Sequence, residues 1–378
     1  MIKVKILHIS KYYPPYRGGI EDVCYNIVNN TSNHFEQNVI CFNNNNHNEV
    51  TKINGIEIVR VGILKKIANQ PISISFYRIL KEYIKTYNPD IIHLHLPNPL
   101  ISLFVLILIP KSVKLLLHWH SDIVAQKNIY RLFSPIEQYL LRRANKILVT
   151  SPLYLEDSKP LSKFHKKTVI IPNMISLEKM RLDKESEEKI NKLISSYDRK
   201  KIVFFLGRHV AYKGIEYLIK SEKYIKSDCI ILIAGEGPIT PQLKKITNSN
   251  RIKFIGRITD EDIKIYMNAA SVFAFPSITK NEAFGVVLAE AMYSKAVPVT
   301  FTIKGSGVNW VNINNITGIE VENRNEKEFG KAIDLLLKND KLRSKLANNA
   351  YKRVQDNFTM ETIKNKIEFI YSTLLKEI

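Results

Sequence analysis

Ile230-Ile231-Leu232-Ile233, inside the longer run Cys229–Gly235, is an unbroken row of branched apolar residues closed by a glycine. A strand with one wet face alternates apolar and polar residues, whereas a strand covered by helices on both faces does not, so this run reads as a buried parallel strand. Similar short runs recur on either side of it, separated by longer helical patterns. In the second half they fall near Ile202–Gly207, Ile252–Gly256, Val272–Pro276, Val297–Phe301 and Gly318–Val321. In the first half they fall near Val4–Ser10, Asn38–Phe42, Ile56–Val61, Asp90–Leu96, Val113–His120, Lys146–Thr150 and Thr168–Pro172. Strand and helix alternating in this way predict an α/β fold built of two doubly wound, Rossmann-like domains.

A chain of 378 residues is also too long for one ordinary core. The charged helical stretch from Leu177 to Lys201 holds no strand, and Lys201-Ile202-Val203-Phe204-Phe205-Leu206-Gly207 starts a new sheet. The expected division is 1–174 and 175–359, with a last helix over 360–378.

Composition narrows the class. With 45% hydrophobic and 24% charged residues the chain is ordinary for a globular protein. Cys24, Cys41 and Cys229 form no C-x-x-C pair and are odd in number, which suits a reducing cytoplasm. Met1 to His8 enters a strand at once and lacks the apolar stretch and cleavage site of a secretory leader, so secretion is not expected. The strongest apolar run, Leu100 to Ile109, falls well short of the roughly 20 residues that cross a bilayer. It reads as a buried or, less readily, an interfacial helix. The unusual number is the charge: 56 basic against 36 acidic residues, a net +20. Such an excess speaks of partners rather than fold. No zinc-finger spacing, basic zipper or aromatic RNA-binding strand supports nucleic acid. The anionic inner face of a cell membrane is the other partner, through Lys65-Lys66, Lys111/Lys114, Arg142-Arg143/Lys146 and Lys163/Lys166-Lys167.

Four segments carry chemistry. In Asn281-Glu282-Ala283-Phe284-Gly285-Val286-Val287-Leu288-Ala289-Glu290-Ala291-Met292, a helix opening at Phe284-Gly285-Val286 would aim free amides and a positive dipole end at an anion such as a diphosphate. Glu290 would lie about 9 Å along that helix from Phe284, far enough to hold ribose hydroxyls while Glu282 meets a sugar. Arg208 and Lys213 follow an apolar strand, where open sheets bind ligands, and two fixed cations there can neutralise a leaving diphosphate. Gly18-Gly19 lies between the first strand and a helix starting at Ile20; paired glycines admit a close ligand and positive φ, yet the pattern is not the dinucleotide G-x-G-x-x-G. His93/His95 and His118/His120 each point to one strand face. Four histidines near strand ends can make a zinc site, but neither a carboxylate second layer nor a ligand spacing is recognisable. The D-x-D of Thr259-Asp260-Glu261-Asp262 is accounted for by a capped helix start, so no metal is assigned to it.

Taken together, Tyr13-Pro14-Pro15-Tyr16-Arg17-Gly18-Gly19-Ile20-Glu21, His118-Trp119-His120-Ser121-Asp122, Gly207-Arg208-His209-Val210-Ala211-Tyr212-Lys213-Gly214 and the E-x7-E of Glu282 and Glu290 resemble, in order, the retaining glycosyltransferases of family 4. The resemblance covers nearly the whole chain. It implies the GT-B fold, two Rossmann-like domains facing across a cleft, with the last helix returning to the first domain. It also implies a nucleoside diphosphate sugar, UDP- or GDP-linked, as donor, with no metal and no further cofactor. Arg208 and Lys213 would then hold the diphosphate, Glu282 the sugar and Glu290 the ribose, with Phe284, Gly285 and Val286 offering amides. Gly18 and Gly19 would face the diphosphate and His120, with Asp122 nearby, the donor sugar. Asn173 after Pro172, and Gly235-Glu236-Gly237-Pro238, look like further cleft loops, although Met174 stands where relatives usually have glycine. Continuing through Ile123-Val124, the histidine segment resembles the variants that build O-antigen or capsular polysaccharide. The implied acceptor is a lipid-linked glycan at the inner membrane face, and the protein would be cytoplasmic and peripheral there. Two alternatives stay open: a nucleotide-sugar epimerase of the same fold, and a non-enzymatic binder of nucleic acid or anionic surfaces.

Overall fold

The computed structural model describes residues 3–16, 18–67, 70–122 and 127–376. The chain forms two compact units, one of residues 1–150, 155–172 and 360–378, the other of residues 151–154 and 173–359.

The first unit contains β1 (Lys5–Ile9), β2 (Glu36–Phe42), β3 (Glu49–Ile53), β4 (Ile56–Val61), β5 (Lys65–Ile67), β6 (Gln70–Ile72), β7 (Ile91–Leu96), β8 (Lys114–Trp119), β9 (Lys146–Val149) and β10 (Thr168–Ile170). Eight of these make one sheet in the order β10-β9-β8-β7-β1-β2-β4-β3. All its pairs are parallel except β3 with β4. The chain starts in the middle at β1, winds out one way through β2, then returns to β1's other side as β7. The point where the order reverses is therefore β1/β7. All six residues of β7 are buried, including His93 and His95.

The sequence reading passed over β3, β5 and β6. The signal for β3 was present: Asn54-Gly55 joins it to β4, both residues have positive φ (51° and 80°), and Ile53 pairs with Ile56. That is the two-residue hairpin turn whose twist matches its strands. The polar, mostly exposed Glu49–Ile53 did not stand out because an edge strand buries little.

The second unit contains β11 (Lys201–Leu206), β12 (Cys229–Ala234), β13 (Ile252–Gly256), β14 (Ala270–Phe275), β15 (Val297–Phe301) and β16 (Ile319–Val321), all parallel, in the order β13-β12-β11-β14-β15-β16. Here the order reverses at β11/β14. Every residue of β12 is buried, as its unbroken apolar run requires. Thr259 caps the helix Asp260–Ala269, accepting from the Asp262 amide at 3.1 Å, so the acids of the D-x-D occupy a first helical turn.

Two boundary details differ from the sequence reading. Asn173 and Met174 belong to the second unit: the Ile175 amide donates to the Phe358 carbonyl at 2.9 Å, and buried Met174 and Ile175 go with that side. Residues 151–154 also group there, with Gly307 lying against the Ser151 side chain. The helix Met360–Leu374 packs in the first unit against the helix Gly19–Thr31, and its buried residues Ile363, Ile367, Ile370, Tyr371 and Leu374 form a stripe with helical spacing. Glu377 and Ile378 of the expected last helix lie outside the described residues.

Candidate functional site

In the second unit, the loops that follow β11 and β14 emerge side by side at the reversal point and bring the assigned residues together. After β11 the chain passes Gly207 and Arg208, then makes a single tight turn over Ala211–Lys213. That turn ends at Gly214, whose φ is 62° and whose Cβ would collide with the Pro276 carbonyl oxygen at 2.1 Å, so only glycine lets the two loops close. Lys213 is thereby placed on Glu282, and its ammonium bonds the Glu282 Oε2. The two side chains are 12% and 14% exposed. Burial alone would lower the Lys213 pKa, but the adjacent carboxylate outweighs it and raises the value, so the ammonium stays charged at neutral pH. Ser277 Oγ reaches the same Glu282 oxygen at 3.4 Å, and Ser306 Oγ donates to the Glu282 main-chain carbonyl at 2.5 Å. These two serines were missed from the sequence, since their only signal is position in loops that the sheet order makes neighbours.

The helix after this loop is Val286–Tyr293, two residues later than an opening at Phe284. Gly285, at φ 86°, is its N-cap, and this left-handed residue breaks the chain between Phe284 and the helix. Phe284 therefore stands outside the helix and its ring is core, packed at 5.4 Å from Phe358 and 6.4 Å from Trp310. The first helical hydrogen bond runs from the Ala289 amide to the Gly285 carbonyl at 3.2 Å, so the amides of Val286 to Leu288 point out of the helix end. Glu290, one turn in, is half-buried.

Arg208 is exposed and forms no ion pair among the described residues. It lines an open recess of about 530 Å³ with Gly207, Gly235, Glu236, Gly237 and Pro238. The floor of that recess is main chain against main chain, since the His209 amide donates to the Glu236 carbonyl at 3.0 Å. Asn173 is half-buried with an Oδ1 that has no hydrogen-bond partner among the described residues.

Gly18, Gly19 and His120 belong to the first unit. Gly18 is extended at φ −177° and Gly19 starts the helix Gly19–Thr31, so neither uses the positive φ that paired glycines permit. A Cβ on Gly19 would meet nothing within 4 Å, which leaves room for a ligand there. Buried Arg60 holds the preceding loop by donating to the Pro14 carbonyl. Arg17, Ile123 and Val124 of the quoted segments lie outside the described residues.

His120 follows β8 and joins a cluster larger than the sequence reading drew, because β1 places His8 opposite His93. His8, His93, His95, His118 and His120 are all buried. Burial pushes His8 down to about 4 and His120 to about 3, and holds His93, His95 and His118 well below the usual histidine value. All five are neutral at physiological pH. Two groups, His8/His93/His95 and His95/His118/His120, bring ring nitrogens close enough to consider an ion. A metal needs in-plane lone pairs that converge on it. Within the two groups, His93 and His95 stack at 4.6 Å and 16°, and His118 and His120 at 4.2 Å and 19°, so those lone pairs run side by side. The cluster is instead partly hydrogen-bonded, with His95 Nδ1 3.1 Å from His120 Nε2. His118 finds no hydrogen-bond partner for either nitrogen among the described residues, and its ring packs on His93, His95 and His120. Asp122 Oδ1 accepts from Trp119 Nε1 at 3.0 Å and Ser158 Oγ at 2.7 Å, steadying the loop after His120.

Residues 17–179 match the family described as Glycosyltransferase Family 4, and residues 186–353 the family described as Glycosyl transferases group 1. The chain is 26% identical to O-antigen chain mannosyltransferase C of Escherichia coli over 99% of both chains. Among solved structures, the sucrose-phosphate synthase of Thermosynechococcus elongatus superposes with a TM-score of 0.80 at 21% identity, covering 100% of both chains. Anabaena HepE in complex with UDP does so with 0.78 at 17% identity, over 98% of this chain and 100% of that one. At such identities the likeness speaks of the fold, and the fold is the two-domain GT-B arrangement.

Proposed function

The chain belongs to glycosyltransferase family 4, and we propose that it transfers a hexosyl unit from a UDP- or GDP-sugar to a glycan hydroxyl, with retention at the anomeric carbon and without a metal. The observation that carries this reading is the Lys213–Glu282 pair beside the amide end of the Val286 helix, at the sheet's reversal point. We assign the donor one orientation on that set. Its diphosphate meets the Val286–Leu288 amides, Arg208 and Lys213; its ribose meets Glu290; its sugar hydroxyls meet Glu282. As the leaving diphosphate gains charge, Lys213 turns from its carboxylate partner towards it, which stabilises the transition state more than the ground state. Glu282, released from the ion pair, then accepts from sugar hydroxyls. With no protein nucleophile assigned, the departing phosphate takes the acceptor's proton on the same face of the sugar.

The full-length likeness to an O-antigen mannosyltransferase supports a lipid-linked surface polysaccharide as acceptor. The first unit supports a place at an anionic membrane. Its helix Pro99–Leu108 is almost wholly apolar yet buries only Ile101, Ser102 and Val105, and Ile107 is 59% exposed. Three basic clusters separate in sequence converge beside that helix's end: Arg143 donates to the Pro110 and Val113 carbonyls, next to Lys111 and Lys114, and Lys167 to the Arg142 and Ala144 carbonyls. No helix among the described residues is long and apolar enough to cross a membrane, so this contact would be peripheral.

The test is thermal unfolding of the protein with UDP, GDP, ADP or dTDP, with and without magnesium. A diphosphate at a hundred times its dissociation constant should stabilise by about 2.7 kcal/mol. One nucleotide should shift the melting temperature equally in magnesium and in chelator. A shift that requires magnesium would overturn metal independence, and no shift with any nucleotide would overturn the donor site. With the matching sugar nucleotide, release of a free epimer without acceptor would select the epimerase instead.

A further inference from the structure

A chain of side chains crosses three adjacent strands of the first unit, β2, β1 and β7, and ends at His120 just after β8. Its fixed end is Gln37 on β2, buried, whose Nε2 donates to the Val28 main-chain carbonyl at 3.0 Å. A carbonyl only accepts, so the amide nitrogen must face it and Gln37 Oε1 must face His8 Nε2, 2.9 Å away. An amide oxygen also only accepts, so His8 carries its proton on Nε2. A neutral imidazole has one N–H, which leaves His8 Nδ1 bare. His95 Nε2 lies 3.5 Å from it and must donate. His95 Nδ1 is then bare in turn, and His120 Nε2, at 3.1 Å, must donate to it. The last nitrogen in the series, His120 Nδ1, is left as an acceptor.

The neighbouring groups agree with this order. Tyr371, from the helix Met360–Leu374, lies 2.7 Å from His93 Nδ1 and 3.5 Å from His8 Nε2. Its single proton goes to His93, because His8 Nε2 already holds one. Full burial keeps every imidazole of the series neutral, so protonation does not break it.

We propose that Gln37, His8 and His95 are positioning residues that hold His120 as the Nε2–H tautomer, so that its bare Nδ1 accepts a hydrogen bond from a hydroxyl of the sugar being transferred. The second half of this statement rests on the reading that His120 faces the donor sugar. The first half does not. A histidine with the opposite tautomer would present N–H at the same place and would compete for the hydroxyl's oxygen rather than its hydrogen.

The inference is tested on full-length protein labelled with ¹⁵N-histidine, by long-range proton–nitrogen correlation, the His120 signal being identified by its loss in His120→Gln. In the wild type, His120 should carry its proton on Nε2 and not titrate between pH 5 and 8. In Gln37→Leu nothing holds the proton on His8 Nε2, so His93 donates from Nδ1 to the Tyr371 oxygen and the Tyr371 hydroxyl donates its single proton to His8 Nε2. Every imidazole in the series then reverses, and His120 becomes the Nδ1–H form. Turnover should fall about tenfold with donor KM little changed. Gln37→Glu, which still accepts from His8, should restore both tautomer and turnover. A wild-type His120 protonated on Nδ1, or no reversal in a folded Gln37→Leu, overturns the relay whatever the activity. Reversal with unchanged turnover overturns the sugar contact and the placement of His120 with it.

Discussion

At the scale of single residues the second unit separates two cations that the sequence treats alike. Lys213 is shielded and paired with Glu282, whereas Arg208 is exposed and has no carboxylate partner among the described residues. Lys213→Met would leave a mostly buried carboxylate without its ammonium, a loss of about 3 kcal/mol. Arg208→Ala should change stability by no more than about 0.5 kcal/mol. Both should slow transfer, and urea unfolding distinguishes them; equal stability losses would contradict the pairing. Glu282→Gln keeps the shape of the loop and removes the charge. Its kcat should fall by about 10²- to 10³-fold, the size of losing one transition-state contact, while affinity for the nucleoside diphosphate stays within a few-fold. Comparable losses in both, measured by calorimetry and initial rates, would remove Glu282 from the sugar. The identity of these residues was legible in the sequence. Their pairing was not, because Lys213 and Glu282 are 69 positions apart and meet only when β14 lies beside β11.

At the scale of elements, the Val286–Tyr293 helix depends on one glycine. Gly285→Ala would force an L-residue to φ 86° and bring its Cβ to 3.2 Å from Leu288. The strain is about 1–2 kcal/mol, and the helix end would turn its amides away from a diphosphate. Nucleotide affinity should fall together with stability, which sets this variant apart from Glu282→Gln. Three strands of the first unit carry the other elemental feature, the buried histidines of β1, β7 and β8. Their folded pKa values are depressed by burial, with His8 at about 4 and His120 at about 3 against the ordinary histidine value of 6.5. The unfolded chain therefore takes up protons below pH 6.5 that the folded chain refuses. Stability is complete above that pH and declines as pH falls towards 4, by up to about 1.4 kcal/mol per pH unit for each histidine. Denaturant midpoints at pH 7.5 and 5 should differ steeply, and replacing His118, which makes no hydrogen bond, with Leu should flatten the slope. An unchanged slope would mean that it protonates in place.

For the whole molecule the net charge of +20 and the apolar, only partly buried Pro99–Leu108 helix make one prediction. The protein should sediment with vesicles containing anionic lipid at low salt and lose most of that binding as ionic strength shortens the reach of the charges. Ile107→Glu should weaken binding without affecting the melting temperature, since Ile107 is exposed. Binding that survives high salt and ignores the substitution would contradict this surface. The sequence by itself determined the parallel strands of both sheets, the two-domain class and the residues we assign to a nucleotide, because unbroken apolar runs and glycine-bounded loops are local properties of the chain. It did not determine which strands are neighbours. Only the tertiary structure placed Lys213 on Glu282, His8 and Gln37 in line with His120, and three separate basic clusters on one edge. The reason is physical: strand order follows from how helices cover the two faces of each sheet, a balance struck by the whole chain, and contacts between distant residues exist only once that order is fixed.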